Sequence, residues 1–209
     1  MAYGNFLSRL NPCEPEAIFQ LLPPLAANTS LLDLGCGRGT TLFWLAAHTS
    51  WSLSGADPDL SSCPADSTRV TLVQSAAERL PFENATFDVV LMECVFSLCE
   101  PRQCLRQIRR VLRPGGLALL SDLYARRGDD VEIRGSSLLH RIDREETLVR
   151  RFSGTGFRLL KQRDFSGELA ALAGQMLLDG ISCTCFAESD LAVLRACRAG
   201  YGVWLFERL

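Results

Sequence analysis

Short apolar runs alternate with stretches of helical periodicity along most of the chain. The runs, bounded by polar or turn-forming residues, predict seven strands, at Ser30–Leu34, Leu53–Ala56, Val70–Val73, Phe87–Met92, Leu117–Leu120, Phe157–Leu160 and Tyr201–Phe206. Helical spacing predicts helices at Glu16–Leu22, Thr40–His48, Arg102–Leu112, Asp143–Ser153, Glu168–Leu178 and Asp190–Ala199. This order predicts an α/β fold with a mostly parallel seven-stranded sheet and helices on both faces, the last strand being inserted into the sheet.

Local signals set several of the predicted boundaries. Asp143 is expected to cap the helix that ends near Ser153. The run Pro114-Gly115-Gly116 predicts a turn before the strand at Leu117–Leu120. Gly200 is expected to end the last helix and to release the chain into the final strand.

Length and composition fit one domain spanning residues 1–209. The chain has 209 residues, 47% hydrophobic and 22% charged, with a formal net charge of -2. That balance gives no global basic field, so long nucleic acid is not an expected partner. Four arginines at helical spacing are interpreted as the solvated face of one helix: Arg106, Arg109, Arg110 and Arg113.

The expected cellular compartment and metal content are inferred from features that the sequence lacks. Met1–Leu10 lacks a basic segment followed by an apolar run, and no stretch reaches the roughly 20 apolar residues of a membrane span. A cytoplasmic location, no membrane contact and reduced thiols are therefore expected. Cys183 and Cys185 either hold a soft metal or are buried thiols, and the absence of a second pair or a nearby His favours thiols and no metal.

A glycine loop follows the first predicted strand, in the run Asp33-Leu34-Gly35-Cys36-Gly37-Arg38-Gly39. Glycine lets backbone approach a ligand where a Cβ would clash, and the helix after it adds oriented N–H groups. Such a loop also occurs in dinucleotide-binding folds with the spacing G-x-G-x-x-G. Here the third glycine comes one residue early and Asp33 precedes the loop, which favours S-adenosylmethionine (SAM) over a dinucleotide.

Four motifs in order resemble those of the class I SAM-dependent methyltransferases, which have a Rossmann-like fold, and in particular those similar to ubiquinone and menaquinone biosynthesis methyltransferases. The resemblance covers about Leu31 to Leu123. Its motifs are Leu31–Gly39, Gly55-Ala56-Asp57-Pro58, Glu78-Arg79-Leu80-Pro81-Phe82 leading to Phe87-Asp88-Val89-Val90, and Leu112-Arg113-Pro114-Gly115-Gly116.

The resemblance implies a set of cofactor contacts. Gly35, Cys36 and Gly37 would contact the amino-acid end of SAM through backbone, with Asp33 near its ammonium group. Asp57 would bind both ribose hydroxyls. The remaining implied cofactor residues are Pro58, Ala77, Glu78 and Met92. The sequence departs from the family at Ala76, where an Asp commonly holds the adenine amine, so Ala77 backbone and the apolar Leu80 and Phe82 are left to hold the ring.

The acceptor side is less defined. Residues 1–29 are expected to form a cap, in which Tyr3 and Phe6 either fold over the cofactor or pack elsewhere, and residues 124–156 a variable acceptor-side segment. Glu93 and His140 are the candidate catalytic groups, each with an alternative as an ordinary solvated side chain.

The expected function is methyl transfer to a small-molecule acceptor by in-line displacement, for which a dedicated base is optional. Two alternatives stay open: a SAM-binding module without turnover, and a dehydrogenase that binds NAD.

Overall fold

A seven-stranded sheet forms the centre of the computed structural model, which describes residues 15–64, 69–133, 139–178 and 188–209. The strand order is β3-β2-β1-β4-β5-β9-β8. The bounds are β1 Ser30–Leu34, β2 Ser52–Asp57, β3 Val70–Gln74, β4 Phe87–Glu93, β5 Leu112–Tyr124, β8 Phe157–Asp164 and β9 Gly200–Arg208. Strands β1 to β5 pair in parallel, and β9 runs antiparallel between β5 and β8. The predicted mostly parallel seven-stranded sheet is confirmed.

Six helices are described. Their bounds are α1 Pro15–Phe19, α2 Thr40–His48, α3 Pro101–Val111, α4 Glu145–Ser153, α5 Ser166–Leu178 and α6 Glu188–Ala196. Five of them bury two cores on the two faces of the sheet, and α6 packs against a third, smaller cluster around Ala125 and Ile142. Helices α3 and α4 cover one face, and α1, α2 and α5 cover the other. Neighbouring strand residues such as Leu31 and Leu32 enter opposite cores, which is why these strands are continuous apolar runs.

Three boundary predictions were wrong. Gly200 does not end the last helix, because α6 ends at Ala196 and Gly200 is the first residue of β9. Asp143 does not cap α4, because the capping position is Arg144 and the Asp143 carboxylate is instead ion-paired with Arg141 and Arg151. The predicted turn at Gly115 is an irregularity inside β5, which begins at Leu112 and shifts register against β4 between Phe87 and Val89. A small hairpin, β6 Val131–Glu132 with β7 Arg141–Ile142, was not predicted.

The predicted arginine row is only partly a solvated helix face, and Arg113 does not belong to it, because Arg113 lies in β5 and not in α3. Arg106 and Arg109 are exposed, as predicted. Arg110 instead donates to the carbonyls of Leu80 and Phe82, at 2.9 and 2.6 Å. Arg110 therefore ties the loop after β3 to α3.

Within the described ranges, no helix is long and apolar enough to cross a membrane. The same ranges contain no group of three or more His, Cys, Asp or Glu arranged to hold a metal ion. Tyr3, Phe6, Cys183 and Cys185 lie outside the described residues.

Candidate functional site

The glycine loop bends sharply between β1 and α2, at the carboxyl end of the sheet. Gly35, Gly37 and Gly39 have φ values of 72°, 49° and 73°, in the left-handed region that favours glycine. The Gly35 N–H donates to the Ala56 carbonyl at 2.7 Å, which fixes the start of the loop to β2. Apart from its chain neighbours, a Cβ added to Gly37 would meet no atom of the described residues within 4 Å, so this backbone faces space that the described residues leave open.

Asp57, at the end of β2, lies against the same loop. Its Oδ2 accepts the Gly37 N–H at 2.9 Å, and its Oδ1 accepts the Asp59 N–H at 2.8 Å. Pro58 follows in the turn, and its carbonyl accepts a hydrogen bond from Gln74 Nε2 at 2.9 Å. The structure thus brings together the two features that the sequence placed 20 residues apart, the glycine bend and the strand-end carboxylate.

Two more carboxylates end neighbouring strands on the face that α2 covers. Asp33 of β1 is 3% exposed, and its pKa is raised well above the usual value by burial and then by the negative charges of Glu93 and Asp57. Burial likewise raises the pKa of Glu93, at the end of β4, while a hydrogen bond with Thr41 opposes that rise. Both groups therefore hold protons more tightly than exposed carboxyls do.

Cys36 turns its side chain away from the open side of the loop. Its Sγ lies 2.8 Å from where a Cβ on Gly55 would stand, which places the thiol against β2. Burial, followed by the charges of Asp33 and Asp57, raises the pKa of Cys36 to about 12. Only the Cys36 backbone is left to face the loop. Cys63, which the sequence analysis did not single out, lies with its Sγ 3.1 Å from the corresponding position on Gly39.

The segment after β3 supplies an apolar edge. Ala77 and Leu80 are buried, and Phe82 makes an edge-to-face contact with Phe87 at 5.0 Å, so Phe82 packs into the core. Glu78 Oε1 accepts the Glu100 N–H at 2.8 Å, just before α3 begins. Met92 of β4 is buried in the same core.

The chain leaves β4 through a constrained peptide. Cys94 has a φ of 56°, which is uncommon for a residue with a Cβ. The next side chain, Val95, covers Gly35 so closely that a Cβ on that glycine would stand 2.8 Å from Val95 Cγ1. A single turn of 3-10 helix, Phe96–Leu98, follows and ends at Cys99.

Two residues of the segment 124–156, which the sequence predicts to lie on the acceptor side, bind this turn. His140 Nδ1 lies 2.7 Å from the Leu98 carbonyl, and Arg141 donates to the carbonyls of Phe96 and Cys99. Asp122, at the carboxyl end of β5, accepts the Ser97 N–H at 2.8 Å. Arg141, Val95 and Asp122 were missed from the sequence. Only Asp122 carried a usable signal, as a carboxylate that follows an apolar strand.

Comparison with known proteins locates the same region. Residues 32–120 match the family model described as a methyltransferase domain. A malonyl-acyl-carrier-protein O-methyltransferase of Herminiimonas arsenicoxydans is 38% identical over 107 residues, which cover 50% of this chain and 40% of that protein. The chain spans less than half the length of the first curated relatives that it matches.

Solved structures share the fold at low identity. Geranyl diphosphate C-methyltransferase from Streptomyces coelicolor A3(2) superimposes with a TM-score of 0.80 at 15% identity, covering 97% of this chain and 81% of that one. The cyclase SpnF superimposes with a TM-score of 0.72 at 20% identity, covering 93% of this chain and 80% of that one. Residues 32–120 are therefore similar in sequence to a methyltransferase domain, and the described sheet has the fold of these solved structures.

Proposed function

We propose that this protein transfers the methyl group of SAM to a small-molecule acceptor by in-line displacement. The observation that carries the proposal is the hydrogen bond of 2.9 Å between Asp57 Oδ2 and the Gly37 N–H, which sets a carboxylate beside an open glycine bend. A carboxylate at a strand end suits a vicinal diol, and the bend suits the amino-acid end of the ligand. Support comes from the matched domain and from relatives whose names describe methyltransferases.

The cofactor site that we propose uses backbone more than side chains. Gly35, Cys36 and Gly37 would contact SAM through the backbone atoms of the loop. The burial of the Cys36 thiol against β2 agrees with this, because it leaves the Cys36 backbone facing the ligand. Asp57 would bind the ribose and Asp33 the ammonium group. The other residues proposed for the cofactor side are Pro58, Ala77, Glu78 and Met92.

The chemistry needs little from the chain beyond alignment and exclusion of water. SAM supplies a methyl group that is already activated as part of a sulfonium. Glu93 is the proposed base for an acceptor that must lose a proton, because it ends β4 beside the glycine loop and burial raises its pKa, which makes the ionised carboxylate a stronger base than an exposed one. His140 is the second candidate. Its Nδ1 is engaged with the Leu98 carbonyl, which leaves Nε2 to accept a proton.

Residues 124–156 are the proposed acceptor side of a single domain. The matched domain model ends at residue 120, and the described part of the following segment binds the turn after β4. We therefore place substrate choice in this segment, next to Glu93. The relatives act on different acceptors by name, and the acceptor of this protein is a small molecule in our proposal.

A module that binds SAM without methyl transfer is the second candidate. Two observations favour it: Ala76 stands where the family commonly has an acidic adenine contact, and the fold is shared with a protein named as a cyclase. SAM binding without transfer to any acceptor would support this module over the enzyme.

Two assays test both candidates. Calorimetry measures SAM binding, and a labelled methyl group on SAM reports transfer to a panel of small thiols, amines, carboxylic acids and hydroxyl compounds. Asp57→Asn removes one carboxylate oxygen at constant size, and we expect it to weaken SAM binding. Asp59→Asn is the matched control, because Asp59 lies in the same turn and its carboxylate hydrogen-bonds with Ser61 and not with the glycine loop. Equal SAM affinity in both variants would remove Asp57 from the site, and affinity for NAD without affinity for SAM would overturn the proposal.

A further inference from the structure

The turn Phe96–Cys99 has its backbone groups bound from outside on two sides. The carbonyls of Phe96 and Cys99 accept from Arg141, and that of Leu98 lies within hydrogen-bond distance of His140 Nδ1. On the other side the Ser97 N–H donates to Asp122. A turn held at these points keeps one position relative to β5 and β7.

This turn directly follows the peptide that covers the glycine loop. Cys94 adopts a φ of 56°, and Val95 packs on Gly35. The Val95 carbonyl accepts the Leu98 N–H at 3.0 Å and the Cys99 thiol at 3.3 Å. Any shift of the turn therefore moves Val95 relative to Gly35, where the amino-acid end of SAM is proposed to bind.

Arg141 has the contacts that such positioning requires. Its side chain is 9% exposed, its Nε donates to Asp143 at 3.1 Å, and its guanidinium lies over the Phe96 ring at 4.6 Å. The two remaining nitrogens donate to the two carbonyls of the turn. The planar guanidinium has donors in fixed directions, so it can hold the Asp143 carboxylate and both carbonyls of the turn at the same time. A lysine ammonium on a flexible stem does not hold three partners in this way.

We propose that Arg141 is a positioning residue for the cofactor site, acting through the turn Phe96–Cys99 to hold Val95 against Gly35. The inference rests on the proposed SAM site. It also makes the acceptor-side segment part of cofactor binding, because Arg141 belongs to that segment and reaches the loop only through the turn. Ordering of the segment by an acceptor and ordering of the glycine loop by SAM then favour each other.

Arg151 provides the matched comparison. It also pairs with Asp143, with its Nε at 2.8 Å from Oδ2 and its second nitrogen at 3.1 Å from Oδ1. The hydrogen bonds of its guanidinium go to Asp143 and not to the turn. Replacing Arg151 removes a similar ion pair from Asp143 and leaves the contacts between Arg141 and the turn in place.

The test uses Arg141→Met, Arg141→Lys and Arg151→Met in the full chain. SAM affinity is measured by calorimetry at a temperature where circular dichroism shows each variant folded. Amide exchange is followed at residues 94–99 in the absence of ligand. We expect Arg141→Met to weaken SAM binding by roughly 3- to 30-fold and to speed exchange in the turn. Arg141→Lys is expected to recover part of the affinity, and Arg151→Met to keep the wild-type affinity even if its Tm falls.

The outcomes separate this inference from the proposed function. Wild-type protein that does not bind SAM would refute the proposed function, while the exchange data would still report whether Arg141 holds the turn. Wild-type SAM affinity in a folded Arg141 variant would overturn the inference alone. So would an equal loss of affinity in Arg151→Met, because that result would assign the effect to general stability. Should Arg141→Met not fold, Arg141→Lys with the same two measurements decides the question.

Discussion

Replacing Gly37 with alanine allows the effect on SAM affinity to be distinguished from the effect on stability better than other changes in the loop do. Gly37 has a φ of 49°, and a Cβ placed there would meet none of the described residues within 4 Å apart from its chain neighbours. The fold therefore loses only the conformational preference of glycine. The added methyl group, however, projects into the space where the proposed ligand lies against backbone.

The two effects have different sizes. A residue with a Cβ in the left-handed region costs about 1 to 2 kcal/mol in the free energy of unfolding. For a domain of this length each kcal/mol lowers Tm by roughly 2 to 4 °C. A methyl group forced into a filled contact costs about 1 to 3 kcal/mol, which corresponds to a loss of SAM affinity of roughly 5- to 150-fold.

Two other glycines act as controls. Gly115, at the opposite end of the sheet, has a φ of 74° and also open space around an added Cβ. Gly115→Ala should lower Tm as much as Gly37→Ala and leave SAM affinity unchanged. Gly35→Ala adds a clash with Val95 to the same strain, so we expect a loss of about 2 to 5 kcal/mol in the free energy of unfolding.

Thermal unfolding and calorimetry with SAM measure the two effects on the same three variants. Unchanged SAM affinity in Gly37→Ala would refute the placement of the ligand against the loop. A loss of SAM affinity in Gly115→Ala of the same size as in Gly37→Ala would show that backbone strain alone explains the result.

Two further changes test the framework around the site. Burial raises the pKa of Asp122 to about 6, so the folded state binds its proton more tightly than the unfolded state does. Through Asp122, the free energy of unfolding should fall by roughly 3 kcal/mol as the pH rises from about 4 to 6. The Asp122→Asn variant should lack this decrease when its unfolding is measured over the same pH range. Arg110→Met removes charged donors from the Leu80 and Phe82 carbonyls, and it should lower the free energy of unfolding measured with urea by about 2 to 3 kcal/mol. Arg106 is exposed, so Arg106→Met, the control, should change that free energy by less than about 0.5 kcal/mol.

The order and type of the main elements followed from the sequence because each strand carries its own evidence. In the run Phe87–Met92 every residue except Asp88 is apolar, because successive residues enter the two opposite cores. Strand lengths were harder to predict. Strand β5 continues to Tyr124 because β9 pairs with it as far as Gly200, and a pairing between distant segments leaves no local pattern.

The closeness of the glycine loop and Asp57 could be predicted from the sequence for a related reason. Glycines with positive φ and a carboxylate directly after a strand are local features that topology brings together at the carboxyl edge of a parallel sheet. The acceptor side depends on contacts made across the chain. Asp143 resembled a helix cap, yet its partners are Arg141 and Arg151, and nothing near Arg141 in sequence indicates the turn at Phe96–Cys99.

Those long-range contacts explain how the two sides of the site depend on each other. The glycine loop is fixed to β2 through the Ala56 carbonyl and Asp57, and Val95, which the turn follows, covers Gly35. The first attachment lies within the matched methyltransferase domain, at residues 32–120, and the second depends on Arg141 outside it. A change in the acceptor-side segment therefore has a direct physical route to SAM affinity. A substitution that altered acceptor choice by moving β7 would be expected to change that affinity as well.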